Sequence, residues 1–310
     1  MNIFALQTGN PLESVALMAV VACVAVWAWV GERWWRGQIV VVYQPRSPVP
    51  WHLGDLAWIV LFYLAMEAGA IKLVSVLLGP GGMQPDAGLG ADKSTTVHVV
   101  GQLIAEGNPW VLLLCGVSAI LVAPATEEFF FRVLLQGWLE ALQHRWRRHV
   151  PTLRRVLPLG VGPIVLTSIV FARMHFRVES PKYSAAFLVL LLAVDAVARL
   201  LSVVFAIVFL RLRAGATAAD LGWTPRKLLG DVELGFMAFL AVAVPVYAMQ
   251  AGLIEWLPES IAPDPIPLFF FALALGFLYF RTHRIAPAIV LHAVFNGMSL
   301  AMAWMAQSAQ

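Results

Sequence analysis

Two adjacent acids, Glu127 and Glu128, stand inside an apolar run and are followed by Arg132. Residues four apart share one face of a helix, so Glu128 and Arg132 can neutralise each other. Helix geometry turns Glu127 about 100° away from that face. One acid is then spoken for, and its neighbour is free to meet a cavity. A free carboxylate held near a guanidinium is a candidate general base for water. The same i, i+4 spacing recurs twice, at Phe171 and His175 and at His292 and Asn296. An imidazole and a carboxamide on one face can both donate hydrogen bonds, and so can polarise a carbonyl or orient water. Each pair alone also has a packing explanation: mutual solvation of Glu127, Glu128 and Arg132 at a helix end, a satisfied core histidine at 175, or close packing at Asn296-Gly297. Together they supply a carboxylate, two imidazoles, an amide and a guanidinium. That is an inventory for hydrolysis by activated water, with or without a metal.

Competing signatures are absent. There is no His-Glu-x-x-His for a common zinc protease and no Gly-x-Ser-x-Gly for a serine nucleophile elbow. The Gly-Asp pairs at Gly54-Asp55 and Gly230-Asp231 fall at the edges of apolar runs and do not suggest an aspartyl dyad. The cysteines, Cys23 and Cys115, both lie within apolar runs, which argues against a disulfide framework and a cysteine-ligated metal.

The elements that must position these groups are membrane spans. Of the 310 residues, 60% are hydrophobic and 13% charged, and mean hydropathy is +0.79. Soluble domains run near 45–50% apolar and about 25% charged, and no single soluble core could hide so much apolar surface. The fold class expected is all-α, a polytopic transmembrane helix bundle of about eight spans, near 14–31, 54–79, 109–142, 158–176, 184–211, 231–252, 267–281 and 284–306. The third is too long for one straight crossing and must tilt, or break at Pro124 and restart at Thr126. The loops at 32–53, 143–157, 211–230 and 281–284 hold most of the Lys and Arg residues, while the alternate loops hold only Lys93, Arg177 and Lys182. That alternation puts the basic loops in the cytoplasm and both termini outside. Tryptophans near span ends, Trp27, Trp51, Trp110, Trp138 and Trp256 among them, fit an aromatic belt. The small net charge of +3 argues against nucleic acid as a partner.

Other ionisable residues within spans read first as structural. Asp195 and Arg199, again i, i+4, suit an ion pair that fixes helix packing. Glu67 and Lys72 can pair or snorkel to opposite interfaces.

At the catalytic candidates the sequence resembles a known family. Ala123 to Arg132, with its Glu-Glu-x-x-x-Arg, is similar to the first motif of the CPBP intramembrane proteases, which include type II CAAX prenyl endopeptidases and bacteriocin-processing or bacteriocin-immunity proteins. Phe171 to His175 matches the second motif, Phe-x-x-x-His, and His292 to Asn296 the third, His-x-x-x-Asn. The resemblance implies an intramembrane endopeptidase acting on a peptide or protein substrate at the bilayer of a bacterial plasma membrane. In it Glu127, helped by His175, would activate water; Glu128 and Arg132 would brace the site; His292 and Asn296 would stabilise the oxyanion. Glu127, His175 and His292 could also hold zinc, and metal-bound and metal-free chemistry both stay open. The implied layout is N-terminal spans and an extracytoplasmic loop over 1–108, then a protease core over 109–310 with a two-span insertion near 183–252. The stretch between His175 and His292 is longer than the family leads one to expect, and Arg173 inside the second motif is unusual. A non-enzymatic scaffold or immunity protein of the same fold, and a proton-coupled transporter, are the alternatives.

Overall fold

The computed structural model describes residues 11–79, 108–150, 157–175, 185–257 and 265–308. Among these the chain is helical, with no strand. Eight helices follow in order: α1 (Pro11–Trp35), α2 (Leu53–Leu78), α3 (Pro109–His149), α4 (Val161–Met174), α5 (Ala185–Ala214), α6 (Leu228–Trp256), α7 (Pro265–Thr282) and α8 (Ala286–Ser308). They correspond one for one to the eight apolar runs. Seven are long and apolar enough to cross a membrane. The exception is α4, whose 14 residues reach only about 21 Å at 1.5 Å per residue, short of a hydrocarbon core about 30 Å thick.

The long run does not break at Pro124. It forms one helix of 41 residues in which two π-helical stretches, Ser118–Val122 and Phe129–Gln136, flank a short α-helical segment, Ala123–Glu128. A proline ring clashes with the carbonyl four residues before it and offers no N–H. Widening the register just ahead of Pro124, so that the Ala123 N–H reaches back to the Ser118 carbonyl, lets the helix pass the proline without a break.

The other helices pack around α3 in pairs. In one pair, α2 lies along α5, where Phe62 stacks on Phe205 with centroids 3.8 Å apart. In another, α6 lies along α8, and Gly235 lets them approach so closely that a β-carbon there would stand 2.6 Å from the Pro287 carbonyl, the use of small residues expected at helix contacts in lipid. The third pair is α4 with α7. Outside α6 lies α1, whose Trp27 indole donates to the Ala241 carbonyl at 3.0 Å. The two spans of 183–252 therefore lie on different neighbours, α5 against α2 and α6 against α8.

The described parts of the basic loops gather at one end of the bundle. The Gln44 N–H donates to the Arg281 carbonyl, and His283 donates Nδ1–H to the Gln44 carbonyl at 2.6 Å. His283 Nε2 lies 3.1 Å from Glu140 Oε2 on α3. Arg284 binds Asp231 of α6 at 2.6 Å and the Gln44 side chain at 2.9 Å. Arg46 donates to the Tyr279 hydroxyl at 2.8 Å. Residues 36–52 thus strap α3, α6 and the α7–α8 corner together. Trp51 departs from the expected belt: it is fully buried, with its indole N–H on the Leu134 carbonyl at 3.3 Å, because the strap carries it into the core.

This grouping makes the orientation testable. Single cysteines at Gln38, Val150 and Arg226, in a chain whose Cys23 and Cys115 are replaced by serine, should all be labelled by an impermeant maleimide from the cytoplasmic side only. Labelling of one of the three from the opposite side contradicts it.

Candidate active site

The centre of the site is Glu128, which has no free oxygen. Its Oε2 accepts from Arg132 Nε at 3.1 Å, and its Oε1 accepts from His292 Nδ1 at 2.9 Å. Neither Glu128 nor Arg132 has any exposed surface. Arg132 also donates to the Thr167 hydroxyl of α4 at 3.4 Å and lies over the Phe171 ring, 5.6 Å from its centroid. Gly276 of α7 leaves room for the guanidinium, since a β-carbon there would stand 3.3 Å from Arg132 Nη1.

Glu127 faces another way, as helix geometry requires. Its Oε2 lies 3.4 Å from His175 Nε2 and 3.9 Å from His292 Nε2. That oxygen is buried and has no hydrogen-bond partner. Both imidazoles are fixed through their other nitrogen. His175 Nδ1 is 2.8 Å from the Phe171 carbonyl, which can only accept, so Nδ1 carries the hydrogen. His292 Nδ1 likewise donates to Glu128. Each ring then turns its Nε2 towards Glu127. Phe171 holds the rings in place: His175 stacks on it at 4.3 Å, and His292 and Phe131 meet its ring tilted, at 5.8 and 5.1 Å.

A cavity of about 710 Å³ opens beside Glu127 between α2, α3 and α4. Its walls are mostly apolar, with Leu56 and Val60 on α2, Phe130 and Leu134 on α3 and Val170 on α4. Its polar lining is Glu127, His175, Thr126, Tyr63 and Arg199. Neither His292 nor Asn296 is part of the lining. Asn296 instead donates Nδ2–H to the Ala119 carbonyl at 2.9 Å, in the first π-helical stretch. The six motif residues thus fall into three positions: Glu127 and His175 at the cavity, Glu128, Arg132 and His292 behind it, and Asn296 to one side.

Arg199, read from sequence as a packing residue, stands at the cavity as well. The expected pair with Asp195 is present at 2.7 Å. The same guanidinium lies 3.8 Å from Glu127 Oε1 and 4.0 Å from Glu67 Oε1, so Glu67 faces Arg199 on the neighbouring helix. Spacing within α5 yields the Asp195 pair and carries no signal of the contacts that Arg199 makes with Glu127 and Glu67 on other helices.

For the zinc alternative, the described residues contain no group of three His, Cys, Asp or Glu side chains placed to hold a metal ion. A tetrahedral zinc ion with bonds of about 2.0–2.2 Å sets its ligand atoms about 3.4 Å apart. His292 Nε2 is farther than that from Glu127 Oε2, and Glu127, His175 and His292 as placed do not fit the ion.

A family model described as type II CAAX prenyl endopeptidase Rce1-like matches residues 109–298. The chain belongs to this family. The match begins on the first residue of α3 and runs just past Asn296, so it takes in all three motifs. Membership of the Rce1-like family and seven apolar helices make the chain an integral membrane protein of a membrane-protease family. No curated protein and no solved structure matches it.

The geometry around Glu128 sets an expectation for stability. Glu128→Gln leaves Arg132 charged, buried and without its counter-ion, a change that costs about 3–5 kcal/mol where a buried pair is broken. The variant should melt well below wild type in detergent. An unchanged melting temperature contradicts the assignment of the pair.

Proposed function

We propose that this member of the Rce1-like family is an intramembrane endopeptidase that hydrolyses a peptide bond with water activated by Glu127. The observation that carries this reading is the contrast between neighbouring acids. Glu128 spends both oxygens on Arg132 and His292, whereas Glu127 lines the cavity and keeps an oxygen, Oε2, outside hydrogen-bond geometry beside His175 and His292. A base must have an oxygen free to take a proton, and Glu127 has one.

The remaining roles follow from the contacts. His175, with its Nδ1–H tied to the Phe171 carbonyl, offers Nε2 as a second station for the proton that water releases. Glu128 and Arg132 brace the helix that carries Glu127. His292 links that brace to Glu127. No step passes through a metal. The apolar walls suit a peptide or protein substrate met within the bilayer, whose apolar flank fills the space along α2 and α3. The catalytic core is read as 109–310, with 1–108 as flanking spans, in a bacterial plasma membrane with the basic loops on the cytoplasmic side.

The test is purified protein in liposomes incubated with a peptide library and read by mass spectrometry. Glu127→Gln keeps shape but removes the basic site, and base catalysis is worth about 10²–10⁴-fold. Turnover should fall by that factor, with the melting temperature within a few degrees of wild type. Cleavage by Glu127→Gln at the wild-type rate rejects the reading. Absence of any cleaved peptide, together with loss of a cellular phenotype in Glu127→Gln, favours a non-enzymatic scaffold.

A further inference from the structure

The site is completed by α8. His292 binds Glu128 at 2.9 Å and lies 3.9 Å from Glu127, and Asn296 donates to the Ala119 carbonyl at 2.9 Å. Each contact ties α8 to α3. A slip of one residue along α8 would shift a side chain by about 1.5 Å and turn it by about 100°, enough to take His292 away from both glutamates. A third tie stands towards the cytoplasmic end. Glu140 lies about 18 Å from Glu128 along α3 at 1.5 Å per residue. Its Oε2 is 3.1 Å from Nε2 of His283, at the corner from which α8 starts.

Both partners of this tie are buried, Glu140 at 5% exposure and His283 at 7%. The other oxygen of Glu140 accepts from Gln136 Nε2 at 3.0 Å, and the same amide donates to the Gly276 carbonyl of α7 at 2.9 Å. Arg46 of the strap stands 3.8 Å from Oε2. His283 is engaged at both ring nitrogens, since Nδ1–H donates to the Gln44 carbonyl at 2.6 Å. It is also the one non-glycine residue with a positive φ, 48°, among the described residues. A left-handed backbone beneath a side chain costs energy and persists where the surroundings over-determine it. Here the two contacts of the imidazole do so.

We propose that Glu140 and His283 are positioning residues of the hydrolysis assigned above to Glu127: their contact fixes the register of α8 on α3 and so sets where His292 and Asn296 stand. The inference rests on that reading of Glu127. Glu140 is too far along α3 to touch the reacting atoms, and it acts through the two groups on α8. The oxyanion role that the family resemblance gives to those groups depends on their register, because donors stabilise developing charge only from hydrogen-bond distance. A displacement of about 1 Å caused far from the chemistry can cost about 10²-fold in rate.

The experiment uses full-length protein in liposomes and a peptide that wild type cuts. In Glu140→Leu, kcat per folded molecule should fall by about 10²-fold. KM should stay unchanged, because the apolar walls on α2 and α4 are untouched. Glu140→Gln keeps an oxygen for Gln136 and offers an N–H to His283 Nε2, and it should retain most of kcat. His283→Asn removes the imidazole with a residue that tolerates the left-handed backbone. It should lower kcat as Glu140→Leu does, and it carries the test where the leucine variant does not fold. Since the two residues make one tie, the double variant should be no slower than Glu140→Leu alone. Wild-type kcat in His283→Asn, a loss confined to KM, Glu140→Gln as slow as Glu140→Leu, or losses that multiply in the double variant overturns the proposal, while an inactive Glu127→Gln leaves the general-base reading standing. Full activity in Glu127→Gln overturns both.

Discussion

The buried pair of Glu128 and Arg132 is the constraint around which the rest of the structure is arranged. Neither side chain has exposed surface. Moving such charges out of water costs several kcal/mol each, so their attraction needs close geometry and further partners to offset it; Arg132 Nε and Nη1 have such partners, while Nη2 has none. Each further partner comes from another helix. His292 arrives from α8, Thr167 and Phe171 from α4, and the space for the guanidinium from Gly276 of α7. A pair formed within one turn of α3 therefore fixes three neighbours against it. Glu127 inherits its position from this knot: with Glu128 held on both oxygens, the residue before it is turned towards the cavity.

The irregularity of α3 belongs to the same arrangement. Its two π-helical stretches bracket the glutamates, and carbonyls within both accept from side chains outside the helix. Asn296 takes the Ala119 carbonyl in the first, and Trp51 takes the Leu134 carbonyl in the second. In a membrane interior each backbone polar group needs a protein partner. The change of register thus supplies attachment points as well as passage for Pro124. Single-turn π insertions often accompany functional sites, and here they set the glutamates between two stretches tied to other parts of the fold.

What was legible in the sequence was what depends on spacing within one helix. Glu128 with Arg132, Phe171 with His175 and Asp195 with Arg199 all stack at i, i+4 as read. The runs of apolar residues marked the helices, and the basic loops marked one end of the bundle. What depends on lateral arrangement was not legible. Arg199 faces Glu127 and Glu67 because α5 lies between α3 and α2, and no periodicity announces that. In a soluble helix the apolar stripe identifies the buried face. In lipid the outward face is as apolar as the inward one, so α2 and α5 carry no such stripe, and charged residues are the only local clue to which side turns inward. Trp51 was misplaced for a related reason: a tryptophan near a span end can lie at the interface or, as here, be drawn into the core by the strap at 36–52.

The division of the cavity between matched and unmatched parts of the chain follows from this packing. The motif residues lie in the stretch 109–298 that the family model covers. The opposite wall is α2, which lies outside that stretch yet contributes Leu53, Leu56, Val60 and Tyr63 to the lining. Among the described residues, these positions make no hydrogen bond or ion pair with the motif side chains, and an apolar wall can change its shape without disturbing a charged knot that other helices hold. Glu67 is where the two parts meet, through Arg199. A wall free to vary and a reacting centre that is not free, joined at one guanidinium, is an arrangement in which the size and form of the apolar space can be altered on α2 while the geometry at Glu127 is kept by α3, α4, α5 and α8.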